Sequence, residues 1–486
     1  MATNNTKQAA WIAIGSVLSF GFSILSSMIL SRYFDKGDYG TYKQVLYVYS
    51  TLLTIFLLGL PRTFSYFLPR VPIEQAKGMI DKLNLLLLLA GTAFSVVLFL
   101  ASNLIASWMN NADLAVALRL FSPVPLLMLP TQGLEGVLST YRKTQFMAIY
   151  TVLTRVLMLV CVALPVVIWN CGYKEAIIGF DIASLLMFLM AWALKYYPVR
   201  HERRERCQVS YKEIWQFALP LLLGSIWGLI INSADAFFVS RWFGKRIFAE
   251  FSNGAMELPF VGMIVAATTT VLSPIFSRMS SSKEDLRGEM FPLWKSAFAK
   301  SGMLIYPILL YCIFFADTLM AALYGEQYRV SGIYFQIKNL SLFFSIIAFG
   351  PLLINVGKVK LFTRVHFWCA VAVVVLEFLC VEFVKSPVAL IGVSTMCRIG
   401  LVMALLVGVA RYFGTSLGKL FPPVLWKILA LSVGILAVVR GAAHWVDANA
   451  WIVLIASGVI YVVFYLAFAR CLKIDYWSIV KPLLDK

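Results

Sequence analysis

Charge is what this sequence has least of. Only 14% of its 486 residues are Asp, Glu, Lys or Arg, where a soluble chain carries about a quarter, so a fully wetted surface is excluded. Acidic residues are scarcer still, 24 against 42 Lys and Arg. The eight cysteines show no CxxC or Cys/His ligand spacing, and most lie inside apolar runs. There a thiol acts as a small hydrophobe, so no metal centre and no cofactor are expected. Long polar segments are also missing. No stretch between apolar runs exceeds about twenty residues, which leaves no room for a soluble catalytic domain. The nearest approach to a phosphate-binding loop, Gly414 to Leu420, is one residue short between its glycines and has Leu420 where a metal-binding hydroxyl is needed. ATP hydrolysis is not expected, and the chain does not read as an enzyme.

What is present is apolar length. Hydrophobic residues make up 60% of the chain, in runs near 20 residues that can each cross a ~30 Å hydrocarbon core as a helix. The runs fall at 9–31, 41–66, 83–107, 118–138, 148–169, 176–196, 214–240, 251–276, 296–316, 332–355, 363–384, 387–411, 424–443 and 450–470. Lipid admits only backbone that bonds internally, so the expectation is an all-α polytopic bundle of about fourteen spans. The first run follows a single cation, Lys7, and lacks a clean cleavage site, so it reads as a retained helix.

Lys and Arg mark the cytoplasmic side of such bundles. With the N-terminus inside, 28 of the 42 cations fall inside and 12 outside, giving both termini a cytoplasmic place. The net charge of +18 is then topology, and nucleic acid need not be invoked. The basic run from Arg200 to Arg206 reads as an anchor on anionic lipid. Two cations, Arg155 and Arg398, remain deep within spans.

The chain also repeats itself. Ser31-Arg32-Tyr33-Phe34-Asp35-Lys36-Gly37 returns 209 residues later as Ser240-Arg241-Trp242-Phe243-Gly244-Lys245-Arg246. At the same offset Tyr39 to Tyr42 meets Phe248 to Phe251. Six spans separate the copies, so both halves share one orientation, the arrangement of transporters whose site lies between two rocking lobes. The expected division is 1–213 and 214–413 as pseudo-symmetric six-helix lobes around a central cavity, with 414–486 as two extra helices and a tail.

The order of Ser31-Arg32-Tyr33-Phe34, Asp38 to Tyr42, Gly59-Leu60 with Arg62, Leu219 to Gly224, Asn232 to Asp235, and Tyr324 to Tyr328 resembles the polysaccharide transporter family. These are the Wzx-type flippases of the superfamily that holds multidrug exporters and lipid II flippases. The entry to the eighth span departs from the family pattern, reading Phe248-Ala249-Glu250-Phe251. The resemblance implies transfer of an undecaprenyl-pyrophosphate-linked oligosaccharide across a bacterial cytoplasmic membrane. Its partners would be that lipid-linked oligosaccharide, membrane lipids, and polysaccharide polymerase or export machinery.

An ionisable residue inside a membrane costs about 2.5–3.5 kcal/mol on insertion scales, so each invites a functional reading. Arg62, Arg155 and Arg398 are the candidate cavity cations for a pyrophosphate. The structural alternatives are snorkelling for Arg62, a pair with Glu135 for Arg155, and a pair with Glu377 for Arg398. Helix 7 carries Asn232 and Asp235 on one face with Ser225 and Gly228. Asp235 aligns in the repeat with Ser26, the end of a seam Ser16–Ser19–Ser23–Ser26 on helix 1. A carboxylate in only one copy suits gating or coupling; the alternative is packing, because small polar residues also join membrane helices. Glu257, one turn from Asn253, is a second coupling candidate and Asp181 a weaker one. Moving a doubly charged pyrophosphate outward gains about 4.6 kcal/mol per 100 mV, so the membrane potential alone is a sufficient drive. A cation-coupled multidrug exporter would instead want an anionic cavity. A membrane polymerase or glycosyltransferase would want a large outer loop.

Overall fold

The computed structural model describes residues 2–281, 286–346 and 349–477. Among them every regular element is helical. Twelve helical stretches among the described residues are long and apolar enough to cross a membrane. They coincide with twelve of the fourteen expected runs. The run 9–31 lies within the helix Ala2–Tyr33, and the run 332–355 is divided into three short helices.

The chain forms two compact units, Met1–Glu250 and Phe251–Lys486. This division follows packing, whereas the lobes 1–213 and 214–413 follow the repeat, so the seventh run packs with the first unit.

The first unit opens with α1 (Ala2–Tyr33), α2 (Lys36–Phe56) and α3 (Pro61–Phe67). The break between α2 and α3 is written in the sequence. Leu58 and Gly59 take left-handed backbone, φ +53° and +73°, and at Gly59 the backbone of Ala218 is so near that an added Cβ would lie 2.4 Å from its carbonyl oxygen. Pro61 then opens α3 at a first-turn position that suits it. Then follow α4 (Ile73–Leu100), α5 (Ser102–Trp108), α6 (Asp113–Phe121), α7 (Pro123–Met128), α8 (Leu134–Thr140), α9 (Thr144–Met158), α10 (Leu164–Trp169) and α11 (Tyr173–Tyr196). Helix α12 (Tyr211–Gly254) bends at Gly244, which has φ +78°.

One end of α2 is fastened by a buried amide cluster. Gln44 Nε2 donates to Ser240 Oγ at 2.6 Å, and Asn111 Nδ2 donates to Gln44 Oε1 at 2.6 Å and Thr41 Oγ1 at 3.0 Å. All four residues are buried, so each amide finds the partner that burial demands. Lys36–Glu250 and Lys245–Asp113 ion pairs at 2.6 and 2.5 Å flank the cluster. The repeated segments therefore meet at this end, copy against copy.

The second unit comprises α13 (Pro259–Ser281), α14 (Phe291–Phe314), α15 (Ala316–Tyr324), α16 (Ser331–Asn339), α17 (Leu342–Ser345) and α18 (Phe349–Asn355). It continues with α19 (Val359–Leu379), α20 (Pro387–Phe413), α21 (Leu417–Leu420), α22 (Pro423–Ala443) and α23 (Ala450–Cys471). Tyrosine hydroxyls tie the last two spans to α14. Tyr311 donates to Leu454 O at 2.5 Å, and the Tyr461 hydroxyl donates to Pro307 O at 3.2 Å and lies within hydrogen-bond distance of Ser432 Oγ at 3.0 Å.

Beyond the end of α14, Arg440 Nη2 meets Asp317 Oδ2 at 2.7 Å while its Nη1 donates to Thr318 Oγ1 at 3.1 Å. Burial alone raises the Asp317 carboxyl, but the bonds from Arg440 and the Thr318 backbone, with the Arg440 and Arg329 charges, outweigh it and hold the group below the ordinary aspartate range. A depressed folded value stabilises the fold above the unfolded value and loses that contribution as pH falls through the folded one. Asp317→Asn is therefore expected to lower thermal stability from about pH 5 upward, with the difference from wild type closing in stronger acid. A difference that grew in acid would contradict this pairing.

Candidate functional site

The sequence places its deep cations by hydropathy alone; the structure supplies their partners. In the first unit Arg155, on α9, is exposed and donates through Nε to Ser19 Oγ on α1 at 2.8 Å. Ser19 belongs to the serine seam and is itself buried. The guanidinium is thus oriented by a neutral hydroxyl, and the pair with Glu135 does not form. Next in the seam, Ser23 donates to the Ser19 carbonyl at 2.9 Å. The Ser16 side chain lies outside the described residues.

Arg62 does not complete a face of α2. The break at Leu57–Leu60 ends that helix at Phe56, short of Arg62, and Arg62 sits exposed in the first turn of α3. Asn232 and Asp235 share α12 but not an environment, for Asn232 is exposed and Asp235 is 2% exposed. One Asp235 oxygen accepts the Ala236 backbone N–H at 2.8 Å. Beside it, Tyr47 of α2 donates to the Ser233 carbonyl at 2.8 Å. Asp181 is half-buried on α11.

In the second unit two candidates read separately from the sequence come together. Helix α12 stops at Gly254 and α13 begins at Pro259, so Glu257 stands in an unwound link rather than on a helix face. Pro259 accounts for part of this, since proline opens a helix well and disfavours helix just before it. A freed carbonyl at Met256 is taken by Asn339 Nδ2 at 3.1 Å, and Asn339 is wholly buried. Across the link Glu257 Oε1 accepts from Arg398 Nη1 of α20 in a close ion pair. Glu377, the other carboxylate considered for Arg398, lies fully buried on α19.

Sequence reading missed a fourth cation. Lys195 counts there as a topological charge at the end of a span, yet it is 0% exposed. Its Nζ donates to Asn84 Oδ1 at 2.8 Å and to the Pro130 carbonyl, and sits 4.5 Å from the centre of the Phe64 ring. Asn84 and Tyr196 continue the chain of bonds to Asp81, which pairs with Arg204 at 2.6 Å. Nothing in the sequence distinguishes this lysine from its snorkelling neighbours, because the carbonyl it caps is freed only by the break between α7 and α8.

Comparison with known proteins fits these features. A family model described as "Polysaccharide biosynthesis protein" matches residues 29–332. The chain belongs to that family. No curated protein matches it. Among solved structures it is similar to the lipid II flippase MurJ in an inward closed conformation, with TM-score 0.72 and 14% identity over 95% of this chain and 99% of that one. It is also similar to an inward-facing multidrug resistance MATE family transporter, with TM-score 0.60 and 14% identity over 85% and 98% of the two chains. A third likeness is to a transporter of the same superfamily from Pyrococcus furiosus, described as having a binding pocket of reverse polarity, with TM-score 0.56 and 15% identity over 86% and 96%. The chain therefore shares the multi-pass fold of these transporters.

Proposed function

We propose that this protein is a flippase that carries an undecaprenyl-pyrophosphate-linked oligosaccharide from the inner to the outer leaflet of a bacterial cytoplasmic membrane, for surface polysaccharide assembly. The family match supplies the polysaccharide setting, and the lipid II flippase likeness supplies the class of fold. The observation that carries the cargo is Arg155. It is a deep cation oriented by a serine hydroxyl, so its charge is left for an anion arriving from outside the protein. A guanidinium grips phosphate through two parallel N–H bonds, which a lysine does not match.

In this reading the lobes 1–213 and 214–413 alternate in access while the prenyl tail stays in lipid, with 414–486 as an accessory pair of helices. Arg155 and Arg398 hold the pyrophosphate, Arg62 receives it near the cytoplasmic side, and Asp235 with Asn232 governs gating. Polymerase and export machinery are the partners that would consume the flipped product.

Depleting the protein from cells that make the polysaccharide is expected to accumulate the lipid-linked oligosaccharide and abolish its polymer at the surface. Unchanged polymer with new sensitivity to organic cations would instead support an exporter of small cations.

A further inference from the structure

The broken link between α12 and α13 and the ion pair across it have a use beyond holding helices together. Arg398 lies about 16 Å of helical rise from Pro387 and about 22 Å from Phe413, so it is near the middle of its span. Irregular backbone at such depth persists only where protein covers it or water reaches it. The first condition is visible here, and the openness of Glu257 suits the second. Asn339, fully buried, caps the Met256 carbonyl, while the Glu257 side chain next to it keeps 46% of its surface open. Arg398 keeps only 14%.

The two halves of the pair are therefore unequal. A core salt bridge seals both charges, because either ion left alone in low dielectric is costly. Here the cation is lodged in its helix packing, and the anion is half open and stands on non-helical link backbone. Carboxylate and phosphate oxygens use the same fork of guanidinium donors. An anion entering at this depth meets a position that already has a carboxylate in it.

We propose that Glu257 is a resident anion that occupies the phosphate position on Arg398 and is exchanged for the cargo's pyrophosphate, an inference that rests on the flippase reading. The exchange keeps Arg398 neutralised when the carrier returns empty, so a bare guanidinium never crosses the low-dielectric stage. It also selects for cargo with at least one phosphate, because a neutral or cationic lipid cannot take Arg398 from its carboxylate.

The test is equilibrium binding of undecaprenyl pyrophosphate, without sugar, to the purified full-length protein in lipid nanodiscs. Removing the competitor in Glu257→Gln is expected to tighten binding by about five-fold, and Arg398→Gln is expected to weaken it by at least about ten-fold. Glu257→Ser is the second removal of the charge, with the same tightening expected. Weaker or unchanged binding in both Glu257 variants, with Arg398→Gln still defective, overturns the exchange and leaves the flippase reading standing. Wild-type binding in Arg398→Gln, or no binding by the wild type, overturns the placement of the cargo on Arg398 and the exchange with it.

Discussion

Arg398→Glu is expected to reduce transfer of a lipid-linked oligosaccharide by about 100-fold or more, the equivalent of roughly 2.7 kcal/mol. The substitution removes the cation and sets a second carboxylate against Glu257, which already faces that position. Breaking such a pair on one side costs about 3–5 kcal/mol when the remaining charge is buried; the Glu257 side chain is 46% uncovered by protein, so the lower end of that range applies. Lys385→Glu is the control. It changes net charge by the same amount at an exposed residue outside the helices α19 and α20, and it is expected to transfer as wild type. Equal membrane amounts of both variants, with equal transfer, would remove Arg398 from the site.

The second large effect falls on stability. Lys195→Ala is expected to cost about 3–5 kcal/mol, because it opens a cavity and leaves Asn84 Oδ1 and the Pro130 carbonyl buried without their donor. Phe64 loses its cation neighbour as well. Lys195→Met fills most of the space and is expected to recover about half of that loss, since only the polar part stays unmet. Thermal unfolding of the purified protein in one detergent reads both. If alanine and methionine destabilised equally, packing would not matter at this position; if neither did, Lys195 would not be holding the break between α7 and α8.

These two residues also mark where the sequence is legible. The spans are written in hydropathy, because a membrane helix must be apolar along its whole length whatever its neighbours are. The helix breaks are only partly written. Pro61 after Gly59 and Pro259 after the Gly254 stop signal where backbone turns, but proline inside a span does not say whether the helix bends or ends. Pro220 and Pro274 sit inside continuous helices. A helix read straight through 251–276 puts Glu257 one turn from Asn253, and the unwound link puts it against Arg398 instead. Arg155 illustrates the same limit. Its depth follows from the sequence, while its choice of Ser19 over Glu135 depends on α1 lying beside α9. Lys195 was invisible because its partner is a backbone carbonyl, and carbonyls look alike in every sequence.

The repeat fares differently. Its two copies were found by likeness alone, yet the structure sets them together: Gln44, seven residues after Gly37, bonds Ser240, which opens the second copy. Identity of sequence and closeness in space are independent facts, and their agreement supports reading the segment as one functional end of the molecule.

Leaflet transfer is the most direct test of the whole account. Purified protein is placed in liposomes carrying undecaprenyl-pyrophosphate-linked oligosaccharide, and the fraction of that lipid open to an impermeant glycosidase is followed in time. The account predicts that exposure rises faster with wild type than in protein-free vesicles, and that Arg398→Glu brings it back to the protein-free rate. Exposure no faster than in empty vesicles, from a protein that binds and moves organic cations in the same liposomes, would contradict it.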